Sequence, residues 1–384
     1  MLFLVKLYFA RKYKPFTESF KTTASVIVPI YNESPQVLEK LLSSLLANIN
    51  DITEIIMVVD PRDEKSFQFL QKWKEDNRVE KMKVVMAEGK GKRVAEAMGI
   101  KMATGEVVVI MDSDTRLVGS NVIAELLKPF KDPLVGGVTS NQRINMNPHK
   151  TIKKRLSDWM ENMRCLLSFP AMSVKGVVGC LPGRCVAFRR SILLPYLDRD
   201  FLNERFLGVR CETGDDRCLT NIVLKNGYKT VYQSSAKVVT EVPESWRKYI
   251  KQQLRWMRSS RRETIMNLRW MIRKPFILPF IFISDILVPI LFFAVVVNAF
   301  LNMIFHWDIT LIAHDTILHT VLGGFLFGLL GMIISIGLRQ SPHLRRNLHE
   351  LKLLPVYIFW GTFVLSPLCI YALFTIRSQD WMTR

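Results

Sequence analysis

Apolar runs and helical spacings alternate through the first third of the chain. Residues 24–30, Ala-Ser-Val-Ile-Val-Pro-Ile, read as a buried strand that ends in Tyr31-Asn32-Glu33. A helical pattern follows over 36–48, and a second apolar run, Glu54–Val59, stops at Asp60-Pro61. A charged helix near Glu64–Asp76, a strand at 83–86 and a helix opening after Gly91 come next. A fourth strand, 106–111, stops at Asp112-Ser113-Asp114. Strands alternating with helices, with acidic turns at the strand ends, predict a parallel α/β sheet that binds a nucleotide at the carboxyl ends of its strands.

Beyond about residue 150 the pattern changes. Residues 151–167 are amphipathic and basic, with Leu156, Trp159, Met160, Met163 and Leu167 near one face. Such a helix lies on a membrane or caps a site, and the spacing does not choose between them. Residues 246–274 are denser in Lys and Arg and carry Trp246, Trp256 and Trp270, which suits a cytoplasmic membrane interface. Three apolar segments follow, at 276–305, 318–338 and 353–376, each long enough for a span of about 20 residues. The first stretch, 1–23, is too short and too interrupted by Lys6, Arg11, Lys12 and Lys14 to span; it reads as an interfacial stub. The divisions expected are therefore 1–23, a catalytic domain over 24–240, interface helices over 241–275 and a membrane region over 276–384.

Charge sharpens this picture. The 384 residues carry a net charge of +19, yet the part from Pro275 onward holds six basic and five acidic residues, so the surplus precedes it. A basic surface attracts nucleic acid, anionic lipid or a diphosphate, and the apolar tail favours the last two over nucleic acid. The 6 cysteines show no C-x-x-C pair and no framework spacing, which points to reduced cytosolic thiols.

Four short motifs carry candidate chemistry. Asp112 and Asp114, one residue apart at a strand end, can share a hard divalent cation with a diphosphate, or form a solvated turn. Glu88-Gly89-Lys90-Gly91-Lys92-Arg93 offers close backbone approach and three cations, without the spacing of a nucleotide-hydrolysing P-loop. Asp215 and Asp216, before a helical pattern, supply either a general base or a helix cap. In Gln252-Gln253-Leu254-Arg255-Trp256, positions 252, 255 and 256 share a helix face. There an arginine fork can hold phosphate and an indole can stack on a sugar, or the segment is a basic interfacial anchor.

Taken in order, these pieces resemble the processive GT-A-fold glycosyltransferases of family 2, which include cellulose, chitin and hyaluronan synthases and the streptococcal type 3 capsule synthase. The resemblance runs from Val26 to Arg384 and rests on Pro29–Glu33, Gly91–Arg93, Asp112–Asp114, Gly179–Arg184, Gly214–Arg217, the Gln252-x-x-Arg255-Trp256 motif and the terminal Trp381-Met382-Thr383-Arg384. It implies an inverting, metal-dependent polymerase acting on UDP-sugars with Mg²⁺ or Mn²⁺. Tyr31, Glu33 and Asp60 would contact uridine, Lys92 would face the diphosphate, Asp112 would help hold the nucleotide and Asp114 would bind the metal. Asp216 would be the base, with Asp215 beside it. Cys180, Pro182, Gly183 and Arg184 would line the acceptor pocket. Gln252 belongs to the acceptor set, Arg255 would hold the diphosphate and Trp256 would stack under the acceptor sugar. Trp381, Thr383 and Arg384 would close over bound nucleotide, with Met382 where hyaluronan synthases usually have Gly.

For Arg384 to reach a cytoplasmic site the chain must cross the membrane an even number of times. The expected topology is two spans, at about 278–305 and 318–338, followed by an in-plane helix over 353–376, where Pro355 and Pro367 fit poorly in a straight span. Three spans is what hydropathy alone returns. Asp285, inside the first span, is expected to face protein or a channel, or else to sit near the interface. Two spans make a thin channel, so secretion of the polysaccharide is expected to need a homodimer or a partner subunit, or the product to be short. Competing readings are a non-processive transferase moving one sugar onto a lipid carrier, and a membrane-anchored binding module without turnover.

Overall fold

The computed structural model describes residues 2–305, 334 and 337–379. These divide into two units, one formed by Phe3–Pro279 with Ile376–Arg384, the other by Phe280–Thr375.

The first unit begins with helix α1 (Leu2–Lys12) and is built on an eight-stranded sheet. Its first half holds β1 (Ala24–Ile30), α2 (Pro35–Leu46), β2 (Glu54–Val59), α3 (Glu64–Asp76), β3 (Met82–Met86), α4 (Lys92–Met102) and β4 (Val107–Met111). Then come β5 (Thr115–Leu117), α5 (Val122–Leu127), β6 (Val135–Ile144), α6 (Ile152–Met163), α7 (Phe169–Ser173), β7 (Cys185–Arg189) and α8 (Arg190–Leu193). A two-stranded hairpin, β8 (Arg205–Phe206) and β9 (Val209–Arg210), precedes α9 (Asp215–Lys225), β10 (Lys229–Thr240) and the long α10 (Trp246–Met271).

The strand order is β3-β2-β1-β4-β7-β6-β10-β5. The first four strands are parallel, as expected, and the apolar runs of β1, β2 and β4 are buried on both faces because helices cover the sheet. Val26, Val28, Ile30, Ile55, Met57, Val107 and Val109 pack with Leu38, Leu41, Leu42 and Leu45 of α2 in one core. Each such buried side chain contributes about 1.5–3 kcal/mol to folding.

The sheet is not parallel throughout. β7 runs antiparallel to β4 and β6, pairing Cys185 with Met111, and β5 runs antiparallel to β10. The reason is local. The chain enters β7 from 179–184, at the same end of the sheet where β4 finishes, and the Asp112 N–H donates to the Gly183 carbonyl at 3.0 Å. Because β7 starts at the end of the sheet where β4 finishes, it runs back alongside β4.

The amphipathic 151–167 segment caps protein rather than lying free. Leu156, Trp159 and Leu167 are buried, and α6 packs on β6. The basic character of α10 also divides between two faces. Arg258, Arg261 and Arg262 are buried, while Ile265, Leu268, Ile272, Arg269 and Arg273 are exposed. The cations that suggested a membrane surface are thus partly interior groups that hydrogen-bond within the protein.

In the second unit helix α11 (Ile277–Phe305) begins inside the first unit's last residues and runs for 29 residues. Asp285 on it is exposed within this chain, so the protein environment expected around it is not provided by the described residues. Among the described residues, one helical run, Leu348–Phe374, is long and apolar enough to cross a membrane, with 11% of its apolar window buried. The expected in-plane segment therefore has the length and apolarity of a span. The expected span at 318–338 lies almost wholly outside the described residues.

Candidate active site

The ends of β1, β2 and β4 and the N-termini of α4 and α9 converge. Helix α4 starts at Lys92, preceded by Gly91 at φ 99°. The Lys92 Nζ lies 2.8 Å from Asp112 Oδ1, 2.8 Å from Asp215 Oδ2 and 3.5 Å from Glu96 Oε1. Gly183 also adjoins it, and a Cβ there would sit 3.0 Å from the ammonium. Lys92 is expected to face a diphosphate; within the chain its ammonium lies among three carboxylates, two of them contributed by distant segments. Those carboxylates outweigh burial, which opposes a charged amine, and raise the Lys92 pKa well above its ordinary value.

Helix α9 follows Gly214, whose φ of 86° is left-handed backbone that favours glycine. A Cβ there would also come within 3.1 Å of Ser259 on α10. The turn is held from beneath by Arg93 and Arg262, which both donate to the Thr213 carbonyl. Arg93 also pairs with Glu204 at 2.8 Å.

Asp215 and Asp216 occupy the first turn of α9, where the helix dipole favours negative charge. Their environments separate them. Burial opposes ionisation of Asp215, but Lys92, and beyond it Arg93 and Arg255, bring its pKa down to about 2. Burial and the neighbouring Asp215 charge push Asp216 up, against the opposing pull of Lys92 and the Arg217 N–H at 2.8 Å. One acid is thus a fixed anion and the other a more basic carboxylate, a division expected of a general base beside its anchor. Cys180 lies 3.8 Å from Asp216 Oδ2, and burial raises its thiol far above the ordinary range.

The remaining expected residues fall around this centre. Asp60 is buried, pairs with Arg62 through both oxygens at 2.7 and 2.9 Å, and accepts from the Gly91 N–H at 3.0 Å. The same Arg62 guanidinium covers the Tyr31 ring at 4.4 Å. Glu33 accepts from Ser113 at 2.7 Å, tying the end of β1 to the Asp112–Asp114 turn. Asp114 accepts from Thr240 at 3.1 Å. Pro182 is buried, and its carbonyl accepts from Gln142 at 3.2 Å.

Arg184 is buried rather than open to an acceptor. It pairs with Glu161 at 2.8 Å and lies 5.3 Å from the Trp256 ring centre, while Arg164 lies 5.9 Å from it. Trp256 therefore rests on a guanidinium layer held by Glu161 of α6. Arg255 acts electrostatically on Asp215, which brings the α10 motif to the acid pair. Gln252 is half-buried, and it is Gln253 that turns inward. Trp381, Thr383 and Arg384 lie outside the described residues. The tail just before them does reach this region, with Gln379 accepting from the Glu212 N–H at 3.2 Å and Ser378 from Arg258 at 3.0 Å.

Glu96, Arg62 and Glu161 were missed by sequence reasoning. Glu96 left a trace, four residues from Lys92 on one helix, and Arg62 follows Asp60 closely. Glu161 gave no signal, because its partner Arg184 is on another element. Among the described residues no three His, Cys, Asp or Glu side chains gather as a metal cluster. Asp114, with Asp112 two residues before it, fits a hard cation that takes its other ligands from water and diphosphate, as Mg²⁺ and Mn²⁺ do.

Comparison with known proteins places this geometry. Residues 22–259 match the family described as Glycosyltransferase like family 2. The chain is 30% identical over 390 residues to hyaluronan synthase of Streptococcus pyogenes, covering 99% of this chain and 88% of that protein. It is 29% identical over 365 residues to an N-acetylglucosaminyltransferase of Rhizobium meliloti (strain 1021), covering 94% and 80% of the two chains. Among solved structures, a mannosyltransferase from Pyrobaculum calidifontis, in complex with GDP-Man and Mn²⁺, superimposes with a TM-score of 0.60 at 18% identity, covering 100% of both chains. That likeness shows a GT-A-like α/β fold.

Proposed function

The chain belongs to the glycosyltransferase-like family 2, and from that membership we propose that it is a membrane-bound, inverting hexosyltransferase extending a β-linked polysaccharide from UDP-sugars on the cytoplasmic side. The observation that carries the reading is the convergence of Lys92, Asp112, Asp215, Asp216 and Arg255, drawn from four separate segments, beside the Trp256 ring. Similarity to a hyaluronan synthase along nearly the whole chain supports a polymer rather than a single transfer.

In this reading Asp216 accepts the proton of the acceptor hydroxyl as that oxygen attacks the anomeric carbon, and the raised basicity of Asp216 suits the task. Direct displacement inverts the centre, so an α-linked donor gives a β-linkage. Asp215 stays ionised and fixes Lys92. Arg255 meets the diphosphate, Trp256 offers its face to the acceptor sugar, and Tyr31, Glu33 and Asp60 form the uridine end. A divalent cation at Asp114, when bound, supplies charge stabilisation to the departing diphosphate. Mn²⁺ in the mannosyltransferase structure supports that assignment.

The chain leaves its first unit at Pro279 and returns to it at Ile376, so any crossings between them are even in number if the site is to stay on one side. With a hydrophobic α11 and the run Leu348–Phe374, this supports a multi-pass chain with both ends cytoplasmic. The test is UDP release by the purified chain in detergent with Mn²⁺ or Mg²⁺, across single and paired UDP-sugars. Turnover that needs a particular pair and yields polymer supports the proposal. Transfer of one sugar to a lipid acceptor would replace it with the carrier reading, and no turnover with any donor would remove it.

A further inference from the structure

Lys92 offers one charge to three carboxylates, of which Asp215 also feels Arg93 and Arg255, and the distances around Lys92 show which stands furthest off. Asp112 and Asp215 each lie 2.8 Å from Nζ, while Glu96 Oε1 stands back at 3.5 Å. Glu96 is 1% exposed, so bulk solvent does not share its charge, and its Oε2 has no hydrogen-bond partner among the described residues. The titratable groups facing it are Lys92 on its own helix, Asp112 at the end of β4, and Asp215 and Asp216 on α9. The only cation among these four is already engaged. A further buried anion there would stand uncompensated, and a neutral acid does not.

We propose that Glu96 is a positioning residue for the transfer reaction, acting as the uncharged third partner that holds the Lys92 ammonium on Asp112 and Asp215. The Gly183 backbone also adjoins the ammonium, so closely that a Cβ there would lie 3.0 Å from it. With Glu96 present, the amine has little room to turn away from the acids. Without it, one side of the amine is open and Asp215 loses its fixed counter-ion, so the charge of Asp215 bears more heavily on Asp216. Burial and the Asp215 charge also push the Glu96 carboxyl well above its ordinary range, in keeping with a neutral acid.

This inference rests on the transferase reading, and its test separates the two. Wild type, E96M and E96Q are purified in detergent as full chains, checked for equal thermal melting, and assayed for UDP release as a function of pH. E96M, similar in size but unable to meet the ammonium, is expected to lose about ten- to a hundredfold in kcat through misplacement of the reacting groups. Its donor KM is expected to change little, and its acid limb to move to higher pH. E96Q, which keeps size and polarity but cannot ionise, is expected to restore most of the lost turnover and return the limb. E96Q as inactive as E96M would overturn the proposal, because the ionised carboxylate would then be the needed form. So would E96M with an unmoved limb, the mark of a merely structural loss. A readout independent of turnover is the infrared difference spectrum of wild type minus E96Q at neutral pH. A carboxylic-acid carbonyl band supports the neutral Glu96 and a carboxylate band refutes it, whether or not any UDP-sugar is consumed.

Discussion

Replacing Asp216 by Asn removes the proposed base and nearly nothing else. Its Oδ1 accepts from the Arg217 N–H at 2.8 Å, and an amide oxygen can keep that bond. General-base catalysis is worth about 10²–10⁴ in rate, or about 3–5.5 kcal/mol of barrier, so kcat should fall by that factor. Stability should move the other way. Burial and Asp215 raise the Asp216 pKa in the folded chain above its ordinary value. Such a group binds its proton more tightly folded than unfolded, so it stabilises at low pH and costs stability as pH rises through that window. Asn removes this cost at neutral pH. The lost helix-dipole contribution, about 0.3–1 kcal/mol, works against the gain, but the upward shift shows that burial and repulsion outweigh it. D216N should therefore lose that factor in kcat and melt at or slightly above the wild-type temperature. Wild-type kcat/KM should show one acid limb of unit slope, set by Asp216, because Asp215 remains ionised down to about 2. UDP release across pH and thermal melting in detergent check all three points. An active D216N, or a D216N that melts well below wild type, would refute the reasoning.

Other perturbations follow from the same geometry. K92M should remove the largest of the charges that hold Asp215 below its ordinary range and leave a buried anion short of its counter-ion, costing about 3 kcal/mol at neutral pH. Asp215 contributes that stability above its unfolded pKa and loses it as pH falls toward 2, so the melting gap between K92M and wild type should narrow below pH 4. R184M leaves buried Glu161 with Arg164 alone, at 3.3 Å, and should cost about 3 kcal/mol in melting or denaturant unfolding. G183A places a methyl group 3.0 Å from the Lys92 ammonium, so turnover should drop while circular dichroism stays native.

The strands that were legible in the sequence are those buried on both faces. Ala24–Ile30, Glu54–Val59 and Val107–Met111 are largely apolar runs, each followed within three residues by an acid near the candidate site, Glu33, Asp60 and Asp112. Asp215 and Asp216 were legible for a similar reason, as paired acids before a helical pattern after a glycine. The direction of β7 was not. Five apolar residues do not record which end the chain enters from, and only the 179–184 connection, pinned to Asp112, fixes it antiparallel. The role of 151–167 was equally undetermined. An amphipathic face is the same in sequence whether it meets lipid or β6, and here Leu156 and Trp159 are buried in protein.

The sequence by itself determined the order of elements, the apolar core and the residue types available for chemistry, because these depend on periodicity and composition read locally. Tertiary structure decided how charge is distributed among those residues. Lys92 was a basic residue beside glycines until Asp112, Asp215 and Glu96 closed around it. Asp215 and Asp216 are chemically identical neighbours, and only burial together with a lysine and arginines from other segments lowers the pKa of one and raises that of the other. Electrostatic energy depends on distance and solvent exclusion, and neither is set until distant segments pack together.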